Sequence, residues 1–311
     1  MNFSLAGMNA IEEYPNYNMT SYFYEDKNMS DYNEDQILLD YSRRISFSVV
    51  LTICSIGVPL NGIVIWLLGF QIKRNPFTVL ILNLAIADFG FLVFMTIYCI
   101  ECLIHFLGPG VLGLFFFCFF HVTYISGLFL LTAISVDRCV CVLFPIWHHC
   151  SRPKYLSSAV CASLWIISFL LGGILQLVEY AFVYDKIFTN LHFIVTAVFC
   201  LPVISISSVI LFIKICIKSQ QIKRRRLLVM ILITFLCFII LTLPLYIYLF
   251  VTHVLNKNFY MYFYELDFYL NPSASLNSSV NPVIYFLVGR KRRARTRESI
   301  KVIFQRVFRE D

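Results

Sequence analysis

Seven apolar segments follow one another along the chain, and they limit the folds that it can adopt. A helix needs about 20 apolar residues to cross the roughly 30 Å hydrocarbon core of a bilayer. We place the segments at about 45–70, 77–98, 110–138, 157–179, 192–217, 227–251 and 260–286. Their connections are short, so the pattern predicts an all-α membrane protein with one bundle of seven transmembrane helices.

The composition agrees with a protein that crosses the membrane several times. Hydrophobic residues make up 59% of the 311 residues and charged residues 14%, whereas a soluble domain carries about 25% charged residues. The eleven cysteines show no repeated CxxC or Cys/His spacing of the kind that binds a metal. We therefore expect no cofactor and no nucleic-acid partner, with the lipid bilayer as the surroundings of the chain.

The distribution of charge predicts the orientation in the membrane. Of the 25 Lys and Arg residues, 20 fall in the connections and the C-terminal tail that alternating spans place on one face. Of the 18 acidic residues, 13 fall on the opposite face, which also carries the N-terminus. Because cytoplasmic loops carry an excess of Lys and Arg, we predict an extracellular N-terminus and a cytoplasmic C-terminus.

The two ends of the chain differ from the bundle, which we assign to residues 45–287. Residues 1–44 are polar and acidic, and we predict a disordered extracellular tail that is glycosylated at Asn2, Asn18 and Asn28. Residues 288–311 are basic, with apolar residues at helical spacing from Ile300 to Phe308. They predict an amphipathic helix on the cytoplasmic membrane surface; the alternative is a frayed basic tail.

An acid and a base stand side by side, as Asp137 and Arg138, at the end of the third segment. Such a pair is costly inside a bilayer, so we place it at the cytoplasmic boundary, where it is either an interface anchor or a docking site. Pro145 is expected to stop the helix. Asp88 lies in the middle of the second segment, where a buried polar group must find a partner.

Taken together, these motifs resemble the rhodopsin-like G-protein-coupled receptors. The resemblance rests on Asp137-Arg138-Cys139, on Asp88 and on the run from Asn281 to Tyr285, NPVIY. Three longer runs are similar to the Mas-related receptors: 61–70, 145–155 and 275–289. The tail from Arg290 to Asp311 is also similar to that of the Mas receptor, a member of this family.

The resemblance implies roles for residues inside the bundle and at its cytoplasmic end. The residues that it assigns to G-protein coupling are Asp137, Arg138, Ile146 and Tyr285. The residues that it assigns to an activation network are Asn61, Asp88, Asn277, Asn281 and Pro282. It also implies that Asp88 can hold a sodium ion, although Gly127 stands where many receptors have a serine ligand.

The ligand site is expected at the extracellular end. Its candidate residues are the acids Glu179, Asp185, Glu265 and Asp267 and the aromatic residues Phe120 and Tyr124. Acids raise the local concentration of cations, and aromatic faces bind them. We therefore expect a basic peptide or a cationic amphiphile as the ligand.

The sequence thus predicts a plasma-membrane receptor that activates heterotrimeric G proteins and is not an enzyme. The resemblance implies the Gq or Gi class. Arg224 stands where some receptors have an acid that locks the Arg of the third helix, so we expect raised basal activity. With Thr296 and Ser299 as the hydroxyl residues of the C-terminal tail, arrestin recruitment is expected to be weak. The alternatives are a transporter or channel without a detectable repeat, or an intramembrane enzyme.

Overall fold

The computed structural model describes residues 29–104, 111–174, 177, 196–217, 229–242, 260–289 and 299–308. Its helices are α1 Met29–Trp66, α2 Pro76–Ile104, α3 Val111–Leu143, α4 Pro145–Cys150, α5 Leu156–Phe169, α6 Leu201–Ile217, α7 Val229–Thr242, α8 Tyr260–Gly289 and α9 Ile300–Phe308. In the part of the chain that the structure describes, every regular element is helical.

Seven of these helices correspond in order to the predicted apolar segments. Among the described residues, four helices are long and apolar enough to cross a membrane: Tyr41–Gln71, Pro76–Ile104, Leu112–Leu143 and Leu156–Ile174. Shorter apolar helices follow at Val198–Lys214 and Val229–Thr242, before α8. The chain is the predicted all-α bundle of seven membrane helices.

The chain divides into two compact units, Met1–Ser42 and Arg43–Asp311, and the bundle belongs to the second. The helix α1 begins at Met29, earlier than the predicted segment that starts at about residue 45. The sequence gives a physical reason for this early start, because Asp31, Glu34 and Asp35 are acids placed near the positive N-terminal end of a helix dipole.

The proline at position 145 separates two helices, as the sequence predicts. The helix α3 ends at Leu143, and Pro145 occupies the first turn of α4, where its missing N–H costs no hydrogen bond. Phe144 between them has φ −124° and ψ 64°, because the proline ring disfavours helical geometry in the preceding residue. The chain therefore turns sharply at the end of α3.

A second proline accounts for a widened turn at the start of α6. Pro202 has no N–H to donate, and a five-residue π-helical turn, Thr196–Cys200, stands just before it. Similar π-helical turns end two other spans, at Leu67–Gln71 after α1 and at Leu170–Ile174 after α5.

The amphipathic helix α9 packs against the bundle. Its residues Ile303 and Phe304 are buried, and Phe304 belongs to the same hydrophobic cluster as Leu67 and Leu68. Lys301 Nζ donates a hydrogen bond to Gln71 Oε1 at 2.9 Å. The burial of Phe304 shows that this residue holds α9 to the protein.

The helices α3 and α5 approach each other very closely at Gly172, in the π-helical turn Leu170–Ile174. A Cβ atom built on Gly172 would lie 2.8 Å from the backbone nitrogen of Val122 and 2.9 Å from the carbonyl carbon of His121. The adjacent Gly173 is different, since its Cβ would lie 3.7 Å from Val122 Cγ2, an ordinary contact distance. Small residues allow membrane helices to pack at this distance, and Gly172 does so here.

Candidate functional site

The guanidinium of Arg138 is buried at the end of α3 and has two partners. Its side chain is 1% exposed. Arg138 Nε donates to Asp137 Oδ2 at 3.0 Å, and Arg138 Nη2 donates to the same oxygen. On its other side, the guanidinium carbon lies 3.9 Å from the centre of the Phe77 ring, which is a cation–π contact from the start of α2. Arg138 is thus held by a carboxylate and an aromatic face.

The second oxygen of Asp137 binds the loop that follows α4. Arg152 Nη2 lies 2.7 Å from Asp137 Oδ1, and His148 Nε2 lies 3.8 Å from it. Arg152 Nη2 also donates to Ser157 Oγ at 2.7 Å. Sequence reasoning places the acid and the arginine side by side but misses Arg152, His148 and Phe77.

The other two predicted coupling residues occupy different surroundings. Ile146 lies on α4 with its side chain 80% exposed. Tyr285 lies on α8, is buried, and belongs to the same hydrophobic cluster as Phe77. This end of the bundle therefore combines an exposed apolar side chain, a buried arginine and a buried tyrosine.

In the middle of the bundle, the structure brings Asp88 and Asn281 into direct contact. Asn281 Nδ2 donates to Asp88 Oδ2 at 2.8 Å, which joins α2 to α8. Asn61 instead binds a backbone group, since its Nδ2 donates to the carbonyl oxygen of Ser278 at 3.1 Å. That carbonyl is the one to which position 282 would donate in a regular helix, and Pro282 has no N–H. Asn61 therefore satisfies an acceptor that the proline leaves open.

Several buried side-chain oxygens of the bundle are without a hydrogen-bond partner among the described residues: Asn61 Oδ1, Ser126 Oγ, Ser275 Oγ, Ser279 Oγ and Asn281 Oδ1. Asn277 is also buried on α8. Buried oxygens of this kind are usually satisfied by ordered water or a cation. A Cβ at Gly127 would lie 3.6 Å from Asp88 Oδ1, so a serine there would reach the carboxylate and glycine offers no oxygen.

The oxygen atoms near Asp88 form only part of a binding site for a monovalent cation. Asp88 supplies a carboxylate, and Asn281, which binds that carboxylate directly, has an unpartnered amide oxygen that could serve as a neutral ligand. Sequence reasoning missed Ser126 and Ser275 as buried polar residues of the bundle, because serine is common in membrane helices and gives little signal from one chain.

Towards the opposite end of α3 from Arg138, Phe120 and Tyr124 belong to an aromatic group that α2 and α3 share. The Phe91 ring centre lies 5.3 Å from that of Phe120 and 5.4 Å from that of Tyr124. Tyr98 stacks on Phe120 at 6.1 Å. Both predicted ligand residues remain partly exposed, but part of each aromatic surface already packs against α2.

The acidic ligand candidates are described less fully. Glu265 and Asp267 lie within α8, of which this stretch is described as backbone only. Glu179 and Asp185 lie outside the described residues, as do the glycosylation candidates Asn2, Asn18 and Asn28. The pairing of these acids with a ligand stays a prediction.

Comparison with known proteins identifies the family. Residues 60–285 match the family model of the 7 transmembrane receptor (rhodopsin family). The chain is 36% identical over 274 residues to the Mas-related G-protein coupled receptor member X1 of Mus musculus, which covers 85% of this chain and 84% of that protein. It is 35% identical over 293 residues to the member X1 of Homo sapiens, covering 91% of this chain and 89% of that protein. The chain therefore belongs to the Mas-related family of rhodopsin-like G-protein-coupled receptors.

Proposed function

We propose that the chain is a plasma-membrane receptor for a basic peptide or a cationic amphiphile and that it activates G proteins of the Gq or Gi class. Its N-terminus lies outside the cell and its C-terminus inside. The observation that supports coupling most strongly is Arg138, a buried cation at the end of α3 held by Asp137 and Phe77. Burial of a charged group at the end of a membrane helix is costly, so its presence there indicates a function.

Coupling uses the two kinds of group at this end of the bundle. Ile146 is exposed on α4 and inserts into an apolar pocket of the G protein. Arg138 turns away from Asp137 and binds backbone carbonyls of the docking segment, while Tyr285 changes its packing beside it. The test is nucleotide exchange on purified Gq, Gi and Gs by the receptor in lipid discs. Exchange on none of them would contradict the proposal.

The polar network carries the signal from the ligand end to this site. The hydrogen bond between Asn281 and Asp88 ties α8 to α2. Pro282 has removed one backbone hydrogen bond of α8 at this depth, so the helix can bend there. Asn61 and Asn277 complete the polar lining, and a sodium ion beside Asp88 would stabilise the resting arrangement, although Gly127 removes one ligand.

Basal activity is expected to be raised. Arg224 lies outside the described residues. It stands where some receptors have an acid that would tie the arginine of the third span to the sixth span. The acid that pairs with Arg138 in the described part of the chain is its own neighbour Asp137, which moves with it on α3. The resting state therefore has less to hold the cytoplasmic ends together.

The ligand proposal rests on charge. The extracellular face carries 13 of the 18 acids, and such a field attracts cations. Glu179 lies among apolar residues at the outer end of the fourth segment, where an unpaired carboxylate is costly. Phe120 and Tyr124 supply aromatic surface near the ligand, and Asp185, Glu265 and Asp267 supply further negative charge.

Replacing Glu179 with Gln is expected to lower the potency of a cationic agonist about tenfold, which corresponds to about 1.4 kcal/mol. The reason is the loss of a partly desolvated charge pair, which is worth more than an exposed one. The measurement is the calcium or cAMP response to a panel of basic peptides and amphiphilic amines. Glu12→Gln, which removes an acid from the N-terminal tail before α1, is the control. Unchanged potency in both Glu179→Gln and Asp185→Asn would exclude these residues from the pocket.

Arrestin recruitment is expected to remain weak after stimulation. A phosphate-binding partner needs several phosphates, and the tail after Arg290 offers Thr296 and Ser299. Ser299 is exposed, but its carbonyl accepts the N–H of Ile303 at 3.2 Å, so it lies at the start of α9. The measurement is energy transfer between receptor and arrestin in cells. Strong recruitment that disappears in Thr296→Ala/Ser299→Ala would show that two sites suffice.

A further inference from the structure

The carboxylate of Asp137 is shared between two cations that belong to different parts of the bundle. Its Oδ2 accepts from Arg138, on the same helix α3, and its Oδ1 accepts from Arg152, in the loop between α4 and α5. The side chain of Asp137 is 12% exposed and that of Arg152 is 7% exposed. Both ion pairs are therefore largely out of water, where removal of one partner has large effects.

We propose that Arg152 is a positioning residue for G-protein coupling, which keeps Asp137 paired when Arg138 leaves and which fixes the orientation of α4. The inference rests on the proposed function, in which Arg138 must leave Asp137 to reach the G protein. In this proposal, Arg152 in the loop stabilises the state in which Arg138 has separated from Asp137.

The first step in support is the compensation of charge. Release of Arg138 would leave a buried carboxylate without a cation, which is strongly unfavourable in the absence of a second partner. Because Arg152 binds the other oxygen at 2.7 Å, Asp137 keeps one ion pair throughout. Two cations on one carboxylate also repel each other, so Arg152 weakens the hold of Asp137 on Arg138.

The second step is that Arg152 is held independently of Arg138. Arg152 Nη2 donates to Ser157 Oγ at 2.7 Å, and Nη1 lies 2.5 Å from His148 Nε2. Arginine has no acceptor, so the ring nitrogen accepts and carries no proton. His148 thereby orients Arg152.

The third step connects Arg152 to the docking surface. His148 lies on α4, two residues after Ile146 on the same short helix. Through His148 and Asp137, Arg152 ties α4 to the end of α3, and the side chain of Ile146 is then 80% exposed. A loop that is fixed in this way presents Ile146 without a further loss of conformational entropy on binding.

The functional test compares basal nucleotide exchange on purified Gq and Gi by receptor variants in lipid discs, without ligand. Arg152→Gln is expected to lower exchange about fivefold, equivalent to about 1 kcal/mol. Arg152→Lys, which keeps the charge, should recover most of it. In an Asp137→Asn background, Arg152→Gln should have no further effect, since the carboxylate that it serves is gone. Lys154→Gln, which removes an exposed cation from the same loop, is the matched control.

A second measurement follows the loop without a G protein. Cys150, at the end of α4, and Cys216 are exposed, and Cys102, Cys141 and Cys237 are partly exposed. A maleimide fluorophore therefore reports on Cys150 in a receptor in which these four other cysteines are replaced by Ser. Arg152→Gln should lower the fluorescence anisotropy of this label, and Lys154→Gln should not. Equal anisotropy in both variants would overturn the proposed tie between α4 and α3.

The two measurements also separate this inference from the proposed function. Raised or unchanged exchange in Arg152→Gln, with an active parent receptor, would overturn the positioning role and leave the receptor function intact. A parent receptor that is inactive on every G protein would overturn coupling and with it the role of Arg152 in coupling. In that case, lower anisotropy in Arg152→Gln would still support the structural tie.

Discussion

Replacing Arg138 with Ala is expected to lower nucleotide exchange on the G protein about 30-fold or more, which corresponds to about 2 kcal/mol or more of lost coupling energy. Arg138 is buried and charged, and its planar group offers five N–H donors to carbonyl acceptors. Alanine offers none. Arg138→Lys keeps the charge but loses the planar fork, so it is expected to recover only a small part of the activity.

The Arg138→Ala protein should still reach the membrane in normal amounts. Asp137 is not left without a partner, because Arg152 still binds its second oxygen at 2.7 Å. The matched control is Arg74→Ala, which removes an exposed arginine from the connection after α1, where its Nη2 binds the carbonyl of Gly69 at 3.4 Å. Normal exchange by a well-expressed Arg138→Ala receptor would contradict the coupling site.

Much of the bundle could be predicted because its physical causes are local. The length and hydropathy of each apolar segment depend on the segment alone, and the break at Pro145 follows from the geometry of one ring. Asp88 could be assigned to a polar contact because an acid in the middle of an apolar segment must have a partner. Its contact with Asn281 then joined two residues that were both predicted.

The partners that could not be predicted depend on tertiary packing. Arg152 reaches Asp137 only because the chain turns at Phe144 and places the loop after α4 back against α3. Asn61 binds the backbone at Ser278, a group that no pattern of side chains reveals. The burial of Phe304 likewise depends on how α9 docks against the turn after α1, since an amphipathic helix presents the same apolar stripe to lipid or to protein.

The second large expected effect is a loss of stability, and it concerns the close approach between α3 and the π-helical turn Leu170–Ile174 that follows α5. Substitution of Gly172 by Val is expected to destabilise the folded receptor by about 3 kcal/mol, and substitution by Ala by a smaller amount, through overpacking. A Cβ at this position would lie 2.8 Å from the backbone nitrogen of Val122. A backbone atom has no rotamer to change, so the two helices must separate and lose contact along their length.

Gly173 provides the matched control for this prediction, because it lies in the same turn and its Cβ would meet Val122 Cγ2 at 3.7 Å. Gly173→Ala should therefore leave stability unchanged or raise it slightly, since alanine favours the helix by about 1 kcal/mol over glycine. Thermal unfolding in detergent can be followed with a thiol-reactive dye, because cysteines such as Cys118 and Cys161 are buried and become accessible as the bundle opens. Gly172→Val should unfold at a clearly lower temperature than Gly173→Ala. Equal unfolding temperatures for these two variants would contradict the close contact between Gly172 and the backbone of His121 and Val122.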